Sequence, residues 1–369
     1  MRLDSITLLN YRNISKQSIK LDRKITLFIG ENAQGKTNII EGIFTLATTK
    51  SFRTNKDLEL VKWGETNALV SGKFGPNEVK VVITSENKKL YINKQLKNKS
   101  TIVGMLPVVL FSPESLNIVI GAPDKRRKYL DQVLSMTNKT YLFNLIRYFK
   151  AVKNRNRLLS NIRLGQPGDL SIWDRQLVSL GSYIWAKRIA YIQEANLRLK
   201  RVTSNLVDSK IVLKYQPLPK KTKEEKEIGE MFGRELIVRK DEDIARGITS
   251  FGPHRDDFSI FFEIIKKDTV LEKNIGSFGS RGEQRIATLA LKLLEVEFIE
   301  RETGEKPILL LDDILSELDE KNRRYVVALL SRQQSIVTAT TTNFFPKKNL
   351  LHTKIFEVAD GKVTLVKAR

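Results

Sequence analysis

The segment from Gly30 to Thr37 carries a phosphate-binding pattern. Eight consecutive residues match G-x-x-x-x-G-K-[ST] at every fixed position: Gly30, Glu31, Asn32, Ala33, Gln34, Gly35, Lys36 and Thr37. Glycines let the backbone curl, so that its N–H groups and the start of the next helix face phosphate oxygens. Lys36 can then reach the β- and γ-phosphates, and the Thr37 hydroxyl can bind Mg²⁺. The pattern predicts a nucleoside triphosphate site; the alternative is a chance glycine turn before a surface helix.

Two carboxylates, Asp312 and Asp313, follow the apolar run from Ile308 to Leu311. An acid at the end of a buried strand beside a phosphate loop can hold Mg²⁺, directly or through water. We assign that role to Asp312 and expect Asp313 to orient or deprotonate the attacking water. The alternative is a capped strand end with two solvated acids.

A second anion-binding pattern runs from Ser277 to Arg285. It places serine and glycine near the predicted start of a helix, where backbone N–H groups are free to bind an anion. A triphosphate has one γ-phosphate, which Lys36 already serves. A second phosphate-binding helix end is explained if it caps a nucleotide held by another subunit. The alternative is an ordinary helix N-cap, Ser280 or Ser277.

An α/β unit must position these residues. The apolar run Ile25 to Ile29 predicts a buried strand before the loop, and apolar residues at helical spacing follow the loop. Three extended runs joined by turn-like segments predict an antiparallel meander beside a mainly parallel core: Ala68–Phe74, Glu78–Thr84 and Lys89–Asn93.

Helical periodicity replaces this pattern from about Leu116 to about Arg246, and strand–helix alternation then returns. We predict a P-loop head with a mixed sheet, made of residues 1–115 and 247–369, and a mainly helical domain inserted at 116–246. Within that insert, the charged segment Lys220 to Glu230 is poor in apolar residues and predicts a solvated loop or frayed helix.

Composition limits the possible partners. The 369 residues include 64 Lys and Arg against 42 Asp and Glu, a net charge of +22, and no cysteine. No apolar run approaches the roughly 18 residues of a membrane span, so we expect a soluble cytoplasmic protein without a membrane partner. A basic field of this kind favours nucleic acid.

The charge is concentrated between residues 121 and 165, where Lys150, Lys153 and Arg157 share one helical face. The residues that we expect to contact DNA phosphates are Lys125, Arg147, Lys150, Lys153, Arg155 and Arg157. No base-reading motif is present, so binding should depend on charge and shape. The alternative is a solvated helix face.

Taken together, these motifs and Ser316–Asp319 resemble the head of ABC-type ATPases and, within that class, the RecF family. The most specific segment is Pro113–Asp131, which fits the family signature throughout. Three shorter segments also resemble it: Asn10–Asn13, Lys50–Thr54 and Gly252–Asp257. The resemblance spans nearly the whole chain.

The resemblance implies a role for each site residue. Residues Gly30–Thr37 would bind ATP, Thr37 and Asp312 would serve Mg²⁺, and Asp313 stands where ABC ATPases usually carry a catalytic glutamate. Residues of the second pattern, Ser280, Gly282 and Gln284, would complete the partner subunit's site, and Asp319 would lie at the dimer interface. Glu283 departs from the usual second glycine, and Thr340 is the nearest substitute for the missing switch histidine.

The same resemblance implies a biological setting. The family members are ATP-dependent homodimers that bind double-stranded and gapped DNA in repair and replication, and they help RecO and RecR to load recombinase. With a short Asp313 and no switch histidine, we expect slow, DNA-stimulated hydrolysis, below about 1 s⁻¹. The alternatives are a nucleotide-binding subunit of an ABC transporter and an SMC-like structural chromosome protein.

Overall fold

The computed structural model describes residues 2–203, 206, 210–216, 224–266, 269–346, 350 and 353–366. The chain divides into two compact units, one made of Met1–Leu116 with Leu291–Arg369 and the other of Asn117–Ala290. The predicted domain boundaries, 115/116 and 246/247, remain a prediction.

The elements follow one another in the order that the strand and helix patterns predict over most of the chain. The strands are β1 (Ser5–Tyr11), β2 (Ile14–Lys20), β3 (Ile25–Ile29), β4 (Asn67–Phe74), β5 (Asn77–Thr84), β6 (Lys88–Ile92), β7 (Gln95–Leu96), β8 (Val108–Phe111), β9 (Lys210–Gln216), β10 (Asp257–Lys266), β11 (Thr269–Asn274), β12 (Ile308–Asp312), β13 (Ser335–Ala339), β14 (Thr353–Ala359) and β15 (Lys362–Val366). The α-helices are α1 (Lys36–Thr48), α2 (Lys99–Ile102), α3 (Asn117–Ile120), α4 (Pro123–Thr137), α5 (Lys139–Arg163), α6 (Ser171–Thr203), α7 (Glu225–Val238), α8 (Lys240–Arg246), α9 (Ile275–Phe278), α10 (Arg281–Thr303) and α11 (Glu320–Leu330).

A mixed sheet carries the predicted nucleotide residues in the first unit. Its order is β15-β14-β3-β13-β12-β8, with every pair parallel except β14 and the edge strand β15. Strands β8, β12 and β13 are buried at every position, as parallel strands covered on both faces must be. The carboxyl ends of β3, β13 and β12 therefore lie along one edge, where β3 enters the phosphate loop and β12 ends at Asp312.

An antiparallel sheet in the order β2-β1-β4-β5-β6-β7 completes this unit. The predicted meander is confirmed, because β4, β5 and β6 pair in sequence at nearly the predicted bounds. Side chains of β4 alternate between buried and more exposed positions, which is the period of a sheet with one covered face. Strand β2 was not predicted, since only its two end-proximal isoleucines, Ile14 and Ile19, are apolar.

The second unit is mainly helical, as predicted, but it also contains a three-stranded antiparallel sheet in the order β11-β10-β9. The segment Lys220 to Glu230 was predicted to be a solvated loop or frayed helix, and from Glu225 it is helical with most of its described side chains exposed. Helix α7 begins at Glu225 and buries Ile228, Phe232 and Leu236, four residues apart, so it is a packed amphipathic helix. Residues 217–223 lie outside the described part.

In the part of the chain that the structure describes, none of the helices has the length and apolar character that a membrane crossing requires.

Candidate nucleotide site

The phosphate loop requires glycine at two positions, because of both its backbone conformation and the close approach of neighbouring atoms. Gly30 has φ +154°, and a Cβ there would lie 2.3 Å from the backbone oxygen of Val358. Gly35 has φ +111° at the N-cap of α1, and a Cβ there would lie 2.7 Å from the Asn13 side-chain oxygen. Both glycines of the pattern are therefore required by close approach as well as by backbone conformation.

Lys36 is folded over its own loop. Its Nζ donates to the backbone oxygens of Gly30 and Glu31, both at 2.8 Å, and lies 3.8 Å from Asp313 Oδ2. The side chain is only 3% exposed. Its two hydrogen-bond acceptors are neutral carbonyls and Asp313 is beyond hydrogen-bond distance, so phosphate oxygens can replace the carbonyls as acceptors.

Asp312 lies at the end of β12 among hydroxyl groups. Thr37 Oγ1 donates to Asp312 Oδ1 at 2.9 Å, and Thr338 Oγ1 donates to the same oxygen at 2.8 Å. Burial raises the pKa of Asp312 to about 6, although both hydroxyls lower it. A buried carboxylate beside a hydroxyl suits Mg²⁺, a hard cation that prefers oxygen ligands and that would relieve the cost of burying this charge.

Asp313 follows in a left-handed conformation, with φ 48°. Its backbone N–H donates to Thr338 Oγ1 at 3.0 Å, and its side chain is 31% exposed. The single hydroxyl of Thr338 thus fixes both neighbouring acids. Sequence reasoning missed Thr338, whereas Thr340, the predicted substitute for the switch residue, is exposed. The available signal was a hydroxyl in β13, the strand between β3 and β12.

A third set of contacts clamps the back of the loop at Gln34. The backbone oxygen of Gln34 accepts from Gly361 N at 2.9 Å and from Asn13 Nδ2 at 3.2 Å. Its side-chain Oε1 accepts from Asp360 N at 2.7 Å. The β14–β15 turn and the β1–β2 turn therefore hold the loop in place without ligand.

Glu41 joins two of the family-like segments to α1. Its carboxylate is fully buried and accepts from Arg12 Nε and Nη2, each at 2.8 Å. Ser51 Oγ donates to the same group at 2.5 Å. Arg53 Nη1 lies 3.8 Å from Glu41 and donates to Asn38 on the next turn at 3.0 Å. Arg12 and Arg53 are thus fixed on the helix that begins at the phosphate loop.

Ser280 and Glu283 form a reciprocal cap in the second unit. Ser280 N donates to Glu283 Oε2 at 2.6 Å, and Glu283 N donates to Ser280 Oγ at 3.3 Å, which is a capping box for α10. Lys273 Nζ also donates to Glu283, at 2.8 Å, and this bond and the Ser280 N–H lower the pKa of Glu283. The departure from glycine at position 283 therefore has a structural reason.

Three further residues predicted to lie at the partner's site or the dimer interface are Gly282, Gln284 and Asp319. A Cβ on Gly282 would meet nothing within 4 Å, and Gln284 Nε2 donates to the backbone oxygen of Ile275 at 3.3 Å. Asp319 caps α11 by accepting from Asn322 N at 2.8 Å. Its predicted place at a dimer interface remains a prediction.

The predicted DNA contacts separate into two groups. Five of the side chains are exposed: Lys125, Arg147, Lys150, Lys153 and Arg157. The prediction for Arg155 was wrong, because its side chain is fully buried and pairs with Asp174 at 2.7 Å and Asp243 at 2.6 Å. It shares its helix face with buried Ala151 and Leu159, four residues to either side.

Comparison with known proteins gives matches over nearly the whole chain. The family model described as RecF/RecN/SMC N terminal domain matches residues 2–364. The DNA replication and repair protein RecF of Clostridium novyi is 38% identical over 98% of this chain and 99% of its own length. That of Halothermothrix orenii is 38% identical over the whole of both chains.

Solved structures give the same result. The recombination mediator protein RecF with ATP, from the RecFOR pathway, superposes with a TM-score of 0.89 at 33% identity, covering 99% of this chain and 97% of that one. An Smc head bound to the C-winged helix domain of ScpA has a TM-score of 0.54 at 16% identity, a likeness of fold alone.

Proposed function

This chain belongs to the RecF family, and on that premise we propose that it is an ATP-gated clamp on DNA. Family membership makes it an ATP-binding ATPase of DNA replication and repair. In the proposal, two copies hold ATP between the phosphate loop of one subunit and Ser280 of the partner subunit. The closed dimer grips double-stranded or gapped DNA, and hydrolysis opens it.

The observation that carries the proposal is the buried cluster around Asp312. Thr37 and Thr338 donate to this carboxylate, and Lys36 donates to two backbone carbonyls of the loop. Such an arrangement leaves charge available for a triphosphate. Ser280 caps the start of α10, and N–H groups at a helix N-terminus can bind an anion, which supports its proposed role in the partner subunit's site.

The residues divide the chemistry between them. Thr37 and Asp312 would hold Mg²⁺, which supplies charge neutralisation at the β- and γ-phosphates. Lys36 exchanges its two carbonyl acceptors for phosphate oxygens. Asp313, held by Thr338, orients the attacking water and accepts its proton. This carboxylate is one methylene shorter than the usual glutamate, so hydrolysis is slow, below about 1 s⁻¹, and the closed state persists.

Loss of the γ-phosphate removes the contact that only the closed dimer makes, so the equilibrium returns to the open state. The exposed basic residues of α5 support the DNA step, because a row of cations on one helix face can follow a phosphate backbone. The ATP-bound relative belongs to the RecFOR pathway, which supports RecR, acting with RecO, as the protein partner. The transporter and chromosome-structural alternatives gain no support from the full-length relatives.

Size analysis with and without ATP and a gapped duplex tests the clamp directly. The wild-type chain should be monomeric alone and dimeric with ATP, and DNA should strengthen the dimer. Asp313→Asn keeps the side chain's size but cannot accept the proton, so the dimer should persist on DNA after ATP is supplied. An Asp313→Asn protein that stays monomeric at saturating ATP rules the clamp out.

A second comparison separates the phosphate role of Ser280 from its cap. Asp is as good an N-cap as Ser, so Ser280→Asp preserves α10 but places a negative charge against the partner's triphosphate. ATP binding by the monomer should be unchanged, whereas ATP-dependent dimerisation should fall at least tenfold, about the effect of one lost charge-assisted hydrogen bond. Ser277→Ala is the matched control and should dimerise normally. Normal dimerisation of Ser280→Asp would leave Ser280 with the cap alone.

A further inference from the structure

Trp63 is presented to solvent in a way that is unusual for the largest apolar side chain. It is 98% exposed and lies in the turn between Val61 and Glu65 of the first unit. The following Gly64 has φ +85°, and a Cβ there would meet nothing within 4 Å. The indole therefore has open space beside it, enough for a flat ligand to approach.

The backbone that carries Trp63 is fixed on both sides. Lys62 N donates to the Asn10 oxygen at 2.9 Å, and Glu65 N donates to the Lys62 oxygen at 3.0 Å. Asn10 Nδ2 also donates to Glu65 Oε2 at 3.0 Å, and Val61 forms a bridge with Tyr11. The ring is thus held out by an ordered turn, so binding to it costs little conformational entropy.

Side chains of both charges lie near Trp63 in the sequence. Lys62 donates to the neutral Ser15 hydroxyl, Glu65 accepts from the Asn10 amide, and Lys56 pairs with Glu59 at 3.6 Å. Protein hot spots are surrounded by packed apolar contacts, whereas a single exposed ring beside polar side chains is an arrangement that stacks on nucleic acid bases.

The turn is also connected to the nucleotide site. Arg12 Nη1 donates to the backbone oxygen of Glu59 at 2.7 Å, while its other nitrogens bind Glu41 of α1. A single guanidinium therefore joins the segment before Trp63 to the helix that begins at Lys36.

We propose that Trp63 is a stacking platform for an unpaired nucleobase at the edge of a DNA gap, an inference that rests on the DNA clamp proposed above. The ordered turn presents the indole, which is open to solvent and so accessible to the base, and Lys62 can pair with the phosphate beside that base. A blunt duplex offers no unpaired base, so this contact distinguishes gapped from continuous DNA.

The test measures binding of the full-length protein, with ATP, to a gapped duplex and to a blunt duplex of the same length. The first unpaired position of the gap carries the fluorescent base 2-aminopurine. Wild type should quench this fluorescence and bind the gap more tightly. Trp63→Ala should lose the quenching and roughly tenfold in affinity for the gap, with blunt-duplex binding unchanged, and Trp63→Phe should be intermediate.

Leu58→Ala is the matched control, because Leu58 is a neighbouring exposed apolar side chain, and it should behave as wild type. Trp63→Ala that quenches and binds the gap like wild type overturns the proposal. Equal weakening on both duplexes also overturns it, because the ring would then contact duplex or the other subunit. Wild-type protein that binds neither DNA with ATP would instead refute the clamp itself.

Discussion

Two clusters of buried charge, one in each compact unit, have opposite designs. In the nucleotide cluster, Lys36 donates to two backbone carbonyls and lies 3.8 Å from Asp313, and Asp312 accepts from the hydroxyls of Thr37 and Thr338. In the second unit, fully buried Arg188 donates to Asp256 at 2.7 Å, to Asp131 at 2.6 Å and to the Pro253 carbonyl at 2.6 Å.

The two clusters differ in how their charges are paired, and this difference indicates different roles. Asp256 also accepts from Trp185 Nε1 at 3.0 Å and from the Tyr215 hydroxyl, so the Arg188 cluster satisfies its charges internally. Buried ions are costly unless they are paired and hydrogen-bonded. In the nucleotide cluster, the hydrogen-bond partners of Lys36 and Asp312 are neutral groups, and the ion pair between Lys36 and the partly exposed Asp313 is long, at 3.8 Å. A ligand of the right charge can therefore offset part of the cost of burying these charges. Buried charges that pair closely with one another indicate a structural role, whereas buried charges held mainly by neutral groups indicate a binding site.

The largest expected effect is the loss of stability from Arg188→Ala. This change leaves Asp131 and Asp256 without their cation, and breaking a buried pair typically costs about 3–5 kcal/mol. Denaturant unfolding of the purified protein measures it. The matched control is Lys187→Ala, next to Arg188 but exposed, which should change the free energy of unfolding by less than about 1 kcal/mol. Equal effects of the two changes would contradict the structural role.

Acid should destabilise the same region through His254. Its Nδ1 lies 2.7 Å from the Tyr148 hydroxyl and its Nε2 lies 3.0 Å from the Thr249 carbonyl, which suits a neutral ring. Burial lowers the pKa of His254 to about 4, with Arg255 and Arg127 adding to the effect. The unfolded chain binds the proton first as the pH falls, so stability is full above pH 6.5 and decreases by about 3 kcal/mol towards pH 4.

The His254→Gln protein lacks this proton and isolates the effect. Its unfolding free energy should fall less steeply than that of wild type between pH 6.5 and pH 4, although other groups titrate in both proteins. Parallel pH profiles of the two proteins would show that His254 is not held neutral.

Lys36→Ala should give the reverse of the Arg188 result. Removing the ammonium should weaken ATP binding roughly 10- to 100-fold, the range for hydrogen bonds to a charged partner. It should change the free energy of unfolding without ligand by less than about 1 kcal/mol, because its ion-pair partner Asp313 lies 3.8 Å away and is partly exposed to solvent. Calorimetric titration with ATP and a denaturant curve measure both quantities, and Lys24→Ala, an exposed lysine before β3, is the control. Loss of stability in Lys36→Ala would remove the distinction between the clusters.

Local sequence patterns predicted part of the nucleotide site, but they did not predict the contacts that depend on the tertiary fold. The phosphate loop and the acids after β12 follow from glycine spacing and an apolar run, which are local properties. Thr338 and the Gln34 clamp could not be predicted, since they depend on which strands become neighbours, and Thr37 and Asp312 are 275 residues apart. Arg155 was misplaced although helical spacing already put it on the face of Ala151 and Leu159. The DNA-binding prediction counted charges along the chain and did not consider which helix face each charge occupies.

Two arginines on α5 test the same difference between paired buried charge and exposed charge, with the smallest expected effect. Arg157 is exposed, so Arg157→Ala should weaken DNA binding on any sequence and lower the slope of log affinity against log salt by about one. Arg155→Met should leave that slope unchanged, because its charge faces Asp174 and Asp243, and should destabilise the fold instead. Titrations at several salt concentrations, with unfolding curves for both proteins, decide it. An altered slope in Arg155→Met would mean that the α5 cluster opens towards DNA, and burial would then no longer separate the two kinds of charge.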